Sequence, residues 1–333
     1  MDMSKSFLDN IFFPTIDKMG IKTVIHLGDV VDRRKYINIQ TANRLRNDFI
    51  NPILERSLDF HIILGNHDVY YKNTNSINAI EELYSSCKIN VYNKALDLCI
   101  HDTNILFVPW ICAENKEHSF ETIANSNASI CMGHLEIQGF QMYKGSINTH
   151  GESRETYEKF DLTLSGHYHH RSSNGSIHYL GSHGQFTWSD YNDSRGFHIL
   201  DFGNRELSFI ENPYYMFTKV FYNDSQNTID DILGIDFEVY KNTFLKIVVK
   251  NKLNAYWFDL FCDKLDRVGL LDMQIVEDHL NLNLEEDSNI VDEAESTLDI
   301  FKKHIQLITS HNINKFKLER TVVDLYNRAI VLE

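Results

Sequence analysis

The stretch KTVIHLGDVVD, Lys22 to Asp32, decides the reading of this chain. Lys22–Leu27 is a short β-branched run that stops at Gly28-Asp29, the pattern of a strand feeding a loop. The pattern returns in HIILGNHD, where His61–Leu64 runs into Gly65-Asn66-His67-Asp68. Helical spacing fills the interval at Asn38–Arg56 and resumes at Ser76–Ser86. Two β-loop-α units in a row predict an α/β fold with a parallel, helix-covered sheet and ligands at the carboxyl ends of its strands. Upstream, Phe7, Leu8, Ile11 and Phe12 make Ser4–Met19 a helix closed by Gly20, with Pro14 set to break or re-cap it.

Downstream the pattern turns strand-rich. Ile105–Pro109, Ser129–Met132, Leu162–Ser165, Ile177–Leu180 and Gly196–Phe202 read as strands of a second sheet. From about Glu206 a smaller unit follows. Phe244–Lys250 is its strand, Asn254–Arg267 its helix and Asp272–Val276 a second strand, giving one β-α-β module. Beyond it, Leu298, Phe301, Ile305 and Ile308 form one helical stripe, and Val322, Leu325, Tyr326, Ala329 and Ile330 form another. Such stripes pack against their own domain or dock a partner.

Composition excludes several classes. The 333 residues carry 32 Lys and Arg against 47 Asp and Glu, a formal charge of −15. A net negative chain argues against a phosphate-backbone partner until the charge is located. Ten acidic residues and no Lys or Arg lie between Val268 and Phe301, so that one stretch holds −10 of the total. The five cysteines are odd in number, widely spaced and without a CxxC pair, which predicts a reducing compartment and no thiolate zinc site. No stretch approaches the ~18 apolar residues of a membrane span, so the expectation is a soluble, cytoplasmic protein (the host's cytoplasm if phage-encoded). Sixteen histidines are present, and eleven of them fall between His61 and His183.

Those histidines sit where chemistry would need them. Five motifs close strands in order: Gly28-Asp29-Val30-Val31-Asp32, Gly65-Asn66-His67-Asp68, Gly133-His134, Gly166-His167-Tyr168-His169 and Gly181-Ser182. Each alone is weak. Together they bring carboxylate, amide and imidazole groups to one sheet edge, each beside a glycine that lets the backbone turn sharply. A donor set of O and N without thiolate suits Mn²⁺, Fe²⁺ or Zn²⁺, and a bridging carboxylate suits two ions about 3.5–4 Å apart. That is the chemistry of a phosphoesterase. His67 is placed to act on the leaving oxygen, with Asp32 and Asp68 as orienting carboxylates.

These residues resemble the calcineurin-like metallophosphoesterases, and within them the SbcD-type nucleases of double-strand-break repair, including the recombination endonuclease subunits of tailed phages. Val108-Pro109-Trp110, Gly139, Gln185-Phe186-Thr187 and Arg195-Gly196-Phe197 extend the resemblance. It implies a β-sandwich flanked by helices, with a small β-α-β capping domain and a C-terminal helical tail. Residues 1–205 would be the nuclease domain, 206–280 the capping or DNA-recognition domain, and 281–333 an acidic linker and helical segment. It makes Asp29 the bridging metal ligand, places Asn66, His134 and His167 at one ion and His169 at the other, and makes His67 catalytic. The implied cofactors are two Mn²⁺, with Mg²⁺ or another divalent ion as substitute. The implied activity is DNA exonuclease and endonuclease cleavage in recombination, repair and replication. The implied partners are DNA, as double-stranded ends or single strands, and an SMC-like ATPase docked on the C-terminal helices, which alone would use ATP. A homodimer is also open.

The family begins with a strand ending in Asp-x-His, and here Met1 stands directly before the helix that should follow it. The expectation is a truncated gene model that lacks a first strand. Two other classes therefore stay open: a catalytically impaired subunit that binds DNA ends or regulates an ATPase, and another phosphoesterase of the superfamily. Arg33, Arg34 and Lys35 are the local candidates for phosphate contacts, against a solvated loop. His26 reads as a packed core residue, and His150, His170 and His183 as surface or supporting groups. Trp110 and Trp188 read as core or loop anchors.

Overall fold

The computed structural model describes residues 3–143 and 145–277, with Ile305, Lys315, Lys317, Leu318 and Thr321 beyond them. Apart from those single positions, the acidic run after Glu277 and the helical stripes of 292–333 lie outside the described residues.

Three strands, β1 (Thr23–His26), β2 (Asp59–Ile63) and β3 (Asn90–Tyr92), form a parallel sheet in that order. A second sheet takes β4 (Leu96–Ile100), β5 (Thr103–Val108), β6 (Ile130–Gly133), β9 (Leu162–Ser165), β10 (Ser172–Asn174) and β11 (Ile177–Tyr179). Its order is β10-β11-β9-β6-β5-β4, parallel through the centre and antiparallel at both edges. Two short strands, β7 (Gln141–Tyr143) and β8 (Ser146–Ile147), make a hairpin between β6 and β9.

Alternation along the strands decides how the layers stack, because successive side chains face opposite sides of a sheet. Ile62 and Phe60 face the helices, packing with Phe7, Phe12, Ile16, Ile50 and Ile53. Ile63 faces the other way, into a core shared with Ile105, Phe107, Ile130, Met132, Leu162 and Leu164 of the second sheet. Leu106, Val108 and Cys131 point out of that core and are covered by Ile123, Tyr157 and Phe160. The result is two sheets face to face with helices outside each, the expected flanked sandwich.

Both helical runs over the first sheet solve a proline problem in the same way. Met3–Phe7 continues through a widened turn, Leu8–Phe12, into Phe13–Met19, which carries Pro14 in its first turn. Ile39–Arg44 likewise passes through Leu45–Ile50 into Asn51–Glu55, which opens with Pro52. Proline lacks an N–H and crowds the preceding turn, and a widened turn accommodates that without ending the helix. Pro14 therefore neither breaks nor re-caps the helix, which runs on through it from Met3 to Met19.

A hairpin of β12 (Gly196–Leu200) and β13 (Leu207–Glu211) follows, and Leu200 and Leu207 join the core between the sheets. The smaller module holds one strand more than its sequence suggests. Three parallel strands, β14 (Phe217–Asn223), β15 (Phe244–Asn251) and β16 (Asp272–Glu277), lie in chain order. Phe258, Phe261 and Leu265 of the Ala255–Val268 helix cover them. Asn254 caps that helix by accepting from the Trp257 amide.

One buried carboxyl outside the sheets carries a pH consequence. Glu152 accepts from the Tyr157 hydroxyl, and its backbone carbonyl accepts from the Gln138 amide. Burial raises its pKa to about 7, reinforced by the nearby charge of Glu136. Between the ordinary carboxyl value and pH 7 the folded chain therefore keeps a proton that the unfolded chain releases, so stability falls as pH rises across that window. The full cost above pH 7 is on the order of 3 kcal/mol. Glu152→Gln should melt several degrees above the wild type at pH 8 and nearly with it at pH 4.5. Parallel melting curves for the two proteins across that range would refute the assignment.

Candidate metal centre

Four polar side chains from four strand ends converge at one edge of the sandwich. Asp29 follows β1, Asn66 follows β2, His134 follows β6 and His167 follows β9. His134 Nε2 lies 2.9 Å from Asn66 Oδ1, 3.2 Å from Asp29 Oδ2 and 3.2 Å from His167 Nδ1. His167 Nδ1 is also 3.0 Å from Asn66 Oδ1. The Nδ1–H of His134 donates to the Leu27 carbonyl at 2.7 Å, which leaves Nε2 as its ligating nitrogen. A carboxylate, an amide oxygen and two imidazoles with lone pairs turned on one point fit a divalent cation of the Mn²⁺, Fe²⁺ or Zn²⁺ type. Among the described residues, Asp29, His134 and His167 form the one cluster of three or more His, Cys, Asp or Glu side chains with that spacing.

The electrostatics suit a divalent cation at this point. Burial pushes the Asp29 carboxyl up, but the His134 ring and the His67 amide outweigh it and hold it at about 2. Burial and the neighbouring His134 push His167 down to about 3, so this ring is neutral and free to ligate. Burial alone would lower His134, yet the Asp29 carboxylate raises it above the usual imidazole value.

Backbone geometry at the site is strained where it matters. Asp29 (φ 56°) and His167 (φ 62°) both sit in the left-handed region that side chains other than glycine rarely adopt. At Asp29 the strain is held by Asp68, which is 1% exposed. Its Oδ1 accepts from the amides of Val30 (2.8 Å) and Val31 (3.2 Å), and its Oδ2 from those of Asp29 (2.8 Å) and Gly65 (2.8 Å). Asp68 thus staples the two loops together rather than orienting a histidine. Glycine is required at 28 and 65 because a Cβ on Gly28 would strike His134 and the Gly65 backbone, and one on Gly65 would strike Asp29.

The remaining candidates lie around this cluster. The His67 amide donates to Asp29 Oδ1 at 2.7 Å, and its ring Nδ1–H donates to the Asp32 carbonyl. The Asp32 carboxylate itself is 90% exposed beside Arg33. His169 stands at the exposed rim against Phe186 (5.7 Å between rings), outside the four-donor cluster. Arg33, Arg34 and Lys35 follow on the loop after β1, and Arg33 covers the Tyr36 ring. Trp110 walls the site, its ring 5.4 Å from that of His167. His170 Nδ1–H donates to Asp193 at 2.9 Å, beside a buried ion cluster of Arg195, Asp190 and Asp193.

Residues 5–171 match the calcineurin-like phosphoesterase family. The chain belongs to that family. This calcineurin-like phosphoesterase is 32% identical over 233 residues to Exonuclease subunit 1 of Enterobacteria phage T4, covering 70% of this chain and 66% of that protein. It is 25% identical over 195 residues to the D subunit of the SbcCD nuclease of Staphylococcus epidermidis, covering 56% of this chain and 44% of that protein. The matches therefore span less than two thirds of either relative. Among the described residues of the phosphoesterase, no helix is long and apolar enough to cross a membrane.

Sequence reasoning missed three groups that build the phosphoesterase site or fasten the module beside it. The carbonyls of Leu27 and Asp32 orient the two histidines, and backbone acceptors carry no signature in side-chain identity. Gln185 is the third: its Oε1 accepts from the Met216 and Phe217 amides and fastens the start of β14 to the loop after Gly181. Its place within Gln185-Phe186-Thr187 is the signal that could have found it.

Proposed function

We propose that this chain is the nuclease subunit of an SbcD-type complex, hydrolysing DNA phosphodiester bonds with Mn²⁺ or a related divalent ion. The convergence of Asp29, Asn66, His134 and His167 beside His67 carries this reading. A bound ion would supply a water made acidic enough to attack and would neutralise charge growing on the phosphoryl oxygens. The chain's own residues do the rest. Asp29 Oδ1 fixes the His67 backbone, and the Asp32 carbonyl holds His67 Nδ1–H, which leaves Nε2 as the nitrogen free to serve the leaving oxygen. Trp110 packs against the His167 ring and restricts its movement. His169 is the residue this chain offers to a second ion.

DNA is favoured over a small phosphodiester because both relatives are named as nuclease subunits. The separate β14–β16 module, fastened by Gln185 to the loop after Gly181, supports the same choice. The word subunit in both relatives' names supports a partner, for which an SMC-like ATPase docked on residues 281–333 is our reading. One observation favours the impaired-subunit reading: among the described residues Asp29, His134 and His167 form the one cluster with metal-ligand spacing, and His169 stands outside it.

The test is Mn²⁺-dependent cleavage of linear duplex and single-stranded DNA by the full chain, alone and with its ATPase. His67→Ala should lower turnover by roughly 10²–10⁴-fold while the Mn²⁺-dependent rise in melting temperature persists. Fast hydrolysis of a small diester with DNA untouched in the presence of the ATPase would overturn the nuclease reading.

A further inference from the structure

The two ligand loops also present aromatic rings to solvent. Tyr36 is 61% exposed, Tyr70 39% and Tyr71 51%, and none packs into a core. Tyr36 lies on the loop after Asp29 and Asp32, Tyr70 and Tyr71 on the loop after Asn66 and His67. Asp68 and the His67–Asp32 bond staple the starts of these loops together, so the three rings follow within a few residues of backbone held at the metal centre. Tyr70 and Tyr71 meet edge to face, 4.7 Å between centroids, and Arg33 stacks over Tyr36 and donates to its hydroxyl.

The charge of the loops runs against that of the chain. Residues 30–39 and 69–78 hold Arg33, Arg34, Lys35 and Lys72 against one carboxylate, Asp32, in a protein of net charge −15. Arg34 keeps a buried guanidinium nitrogen, Nη1, without a hydrogen-bond partner. Exposed rings interleaved with cations are the pattern that binds single-stranded nucleic acid, the cations taking phosphates and the rings taking bases. An apolar protein partner would not call for the four cations.

We propose that Tyr36, Tyr70 and Tyr71 form a stacking rim that holds unpaired bases next to His67, so that the strand presented for cleavage is one whose bases are splayed out of the duplex. This inference rests on the nuclease reading and adds to it how the strand is gripped.

The experiment compares binding of a fluorescent 12-nucleotide single strand and a base-free strand of the same length by the full chain, in chelator to prevent cleavage. Each of Tyr36→Leu, Tyr70→Leu and Tyr71→Leu should weaken binding of the base-bearing strand by about tenfold. The same substitutions should leave the base-free strand unaffected, and the corresponding Phe variants should bind as the wild type does. Equal losses on both strands, or none on either, overturn the rim. If the wild type cleaves DNA with Mn²⁺ while the Leu variants bind normally, only the rim falls. If the wild type neither binds nor cleaves DNA, the nuclease reading falls with it.

Discussion

Asp68→Ala should lower the stability of the protein by several kcal/mol and remove its Mn²⁺ response at the same time. Two magnitudes oppose each other. Burial and the charge of Asp29 raise the Asp68 pKa to about 6, so keeping this carboxylate ionised inside the protein costs about 3 kcal/mol relative to water. Deleting it recovers that cost. It also strands the amides of Asp29, Val30, Val31 and Gly65, at about 1–3 kcal/mol for each buried donor left unpaired. Four stranded donors outweigh one recovered penalty, and the net loss is about 1–9 kcal/mol, several kcal/mol at the middle of that range. Asp68→Asn should fall between the two, because an amide NH₂ would face the donors that Oδ2 now accepts. Thermal denaturation with and without Mn²⁺ reads both effects. A variant that melts with the wild type and still gains stability from Mn²⁺ would show that the loops hold themselves.

Asp29→Asn should abolish divalent-ion binding while leaving the fold. Among the four donors Asp29 alone carries a formal negative charge, since Asn66 is neutral and His134 and His167 must be neutral to ligate. Turnover should drop on the order of 10³-fold, the scale on which enzymes lose a central electrostatic contact. Binding to the native state stabilises by mass action, so the wild type should melt higher in excess Mn²⁺ and the variant should not. The wild-type response should also depend on pH. With no ion bound, the Asp29 carboxylate holds a proton on His134 above the usual imidazole value, and that proton competes with the metal. The Mn²⁺-induced rise in melting temperature should therefore be small at pH 6 and grow toward pH 8. A rise independent of pH would place the ion elsewhere.

Much of this architecture is legible in the residues alone. β1, β2, β6 and β9 are short, largely apolar runs that lead into Gly28, Gly65, Gly133 and Gly166, and β2, β6 and β9 leave that signature because both faces of a buried parallel strand need hydrophobic cover. The residues after those glycines are the ones that converge. What stays hidden has physical reasons. β3 is only three residues long, and β14, FTKVFYN, mixes Lys219 among its apolar residues so that no clean alternation shows. The work of Asp68 is invisible because its partners are amides up to 39 positions away in the chain, which any residue type supplies. Arg195 stands in a recognisable motif, yet its burial against Asp190 and Asp193 at 2.7 and 2.8 Å depends on tertiary packing.

The origin of the four donors has a mechanical meaning. Asp29 and Asn66 belong to the β1–β2–β3 sheet, whereas His134 and His167 belong to the sheet of β6 and β9. Protein contacts between the halves at this edge include the His134 bond to the Leu27 carbonyl, the pairs that His134 makes with Asp29 and Asn66, the His167–Asn66 pair and the Trp110 amide on the Leu64 carbonyl. An ion seated there would act as a rivet through both plates of the sandwich. Loading it would slow the parting of the sheets more than the fraying of either one, so amide exchange along β1 and β6 would slow together.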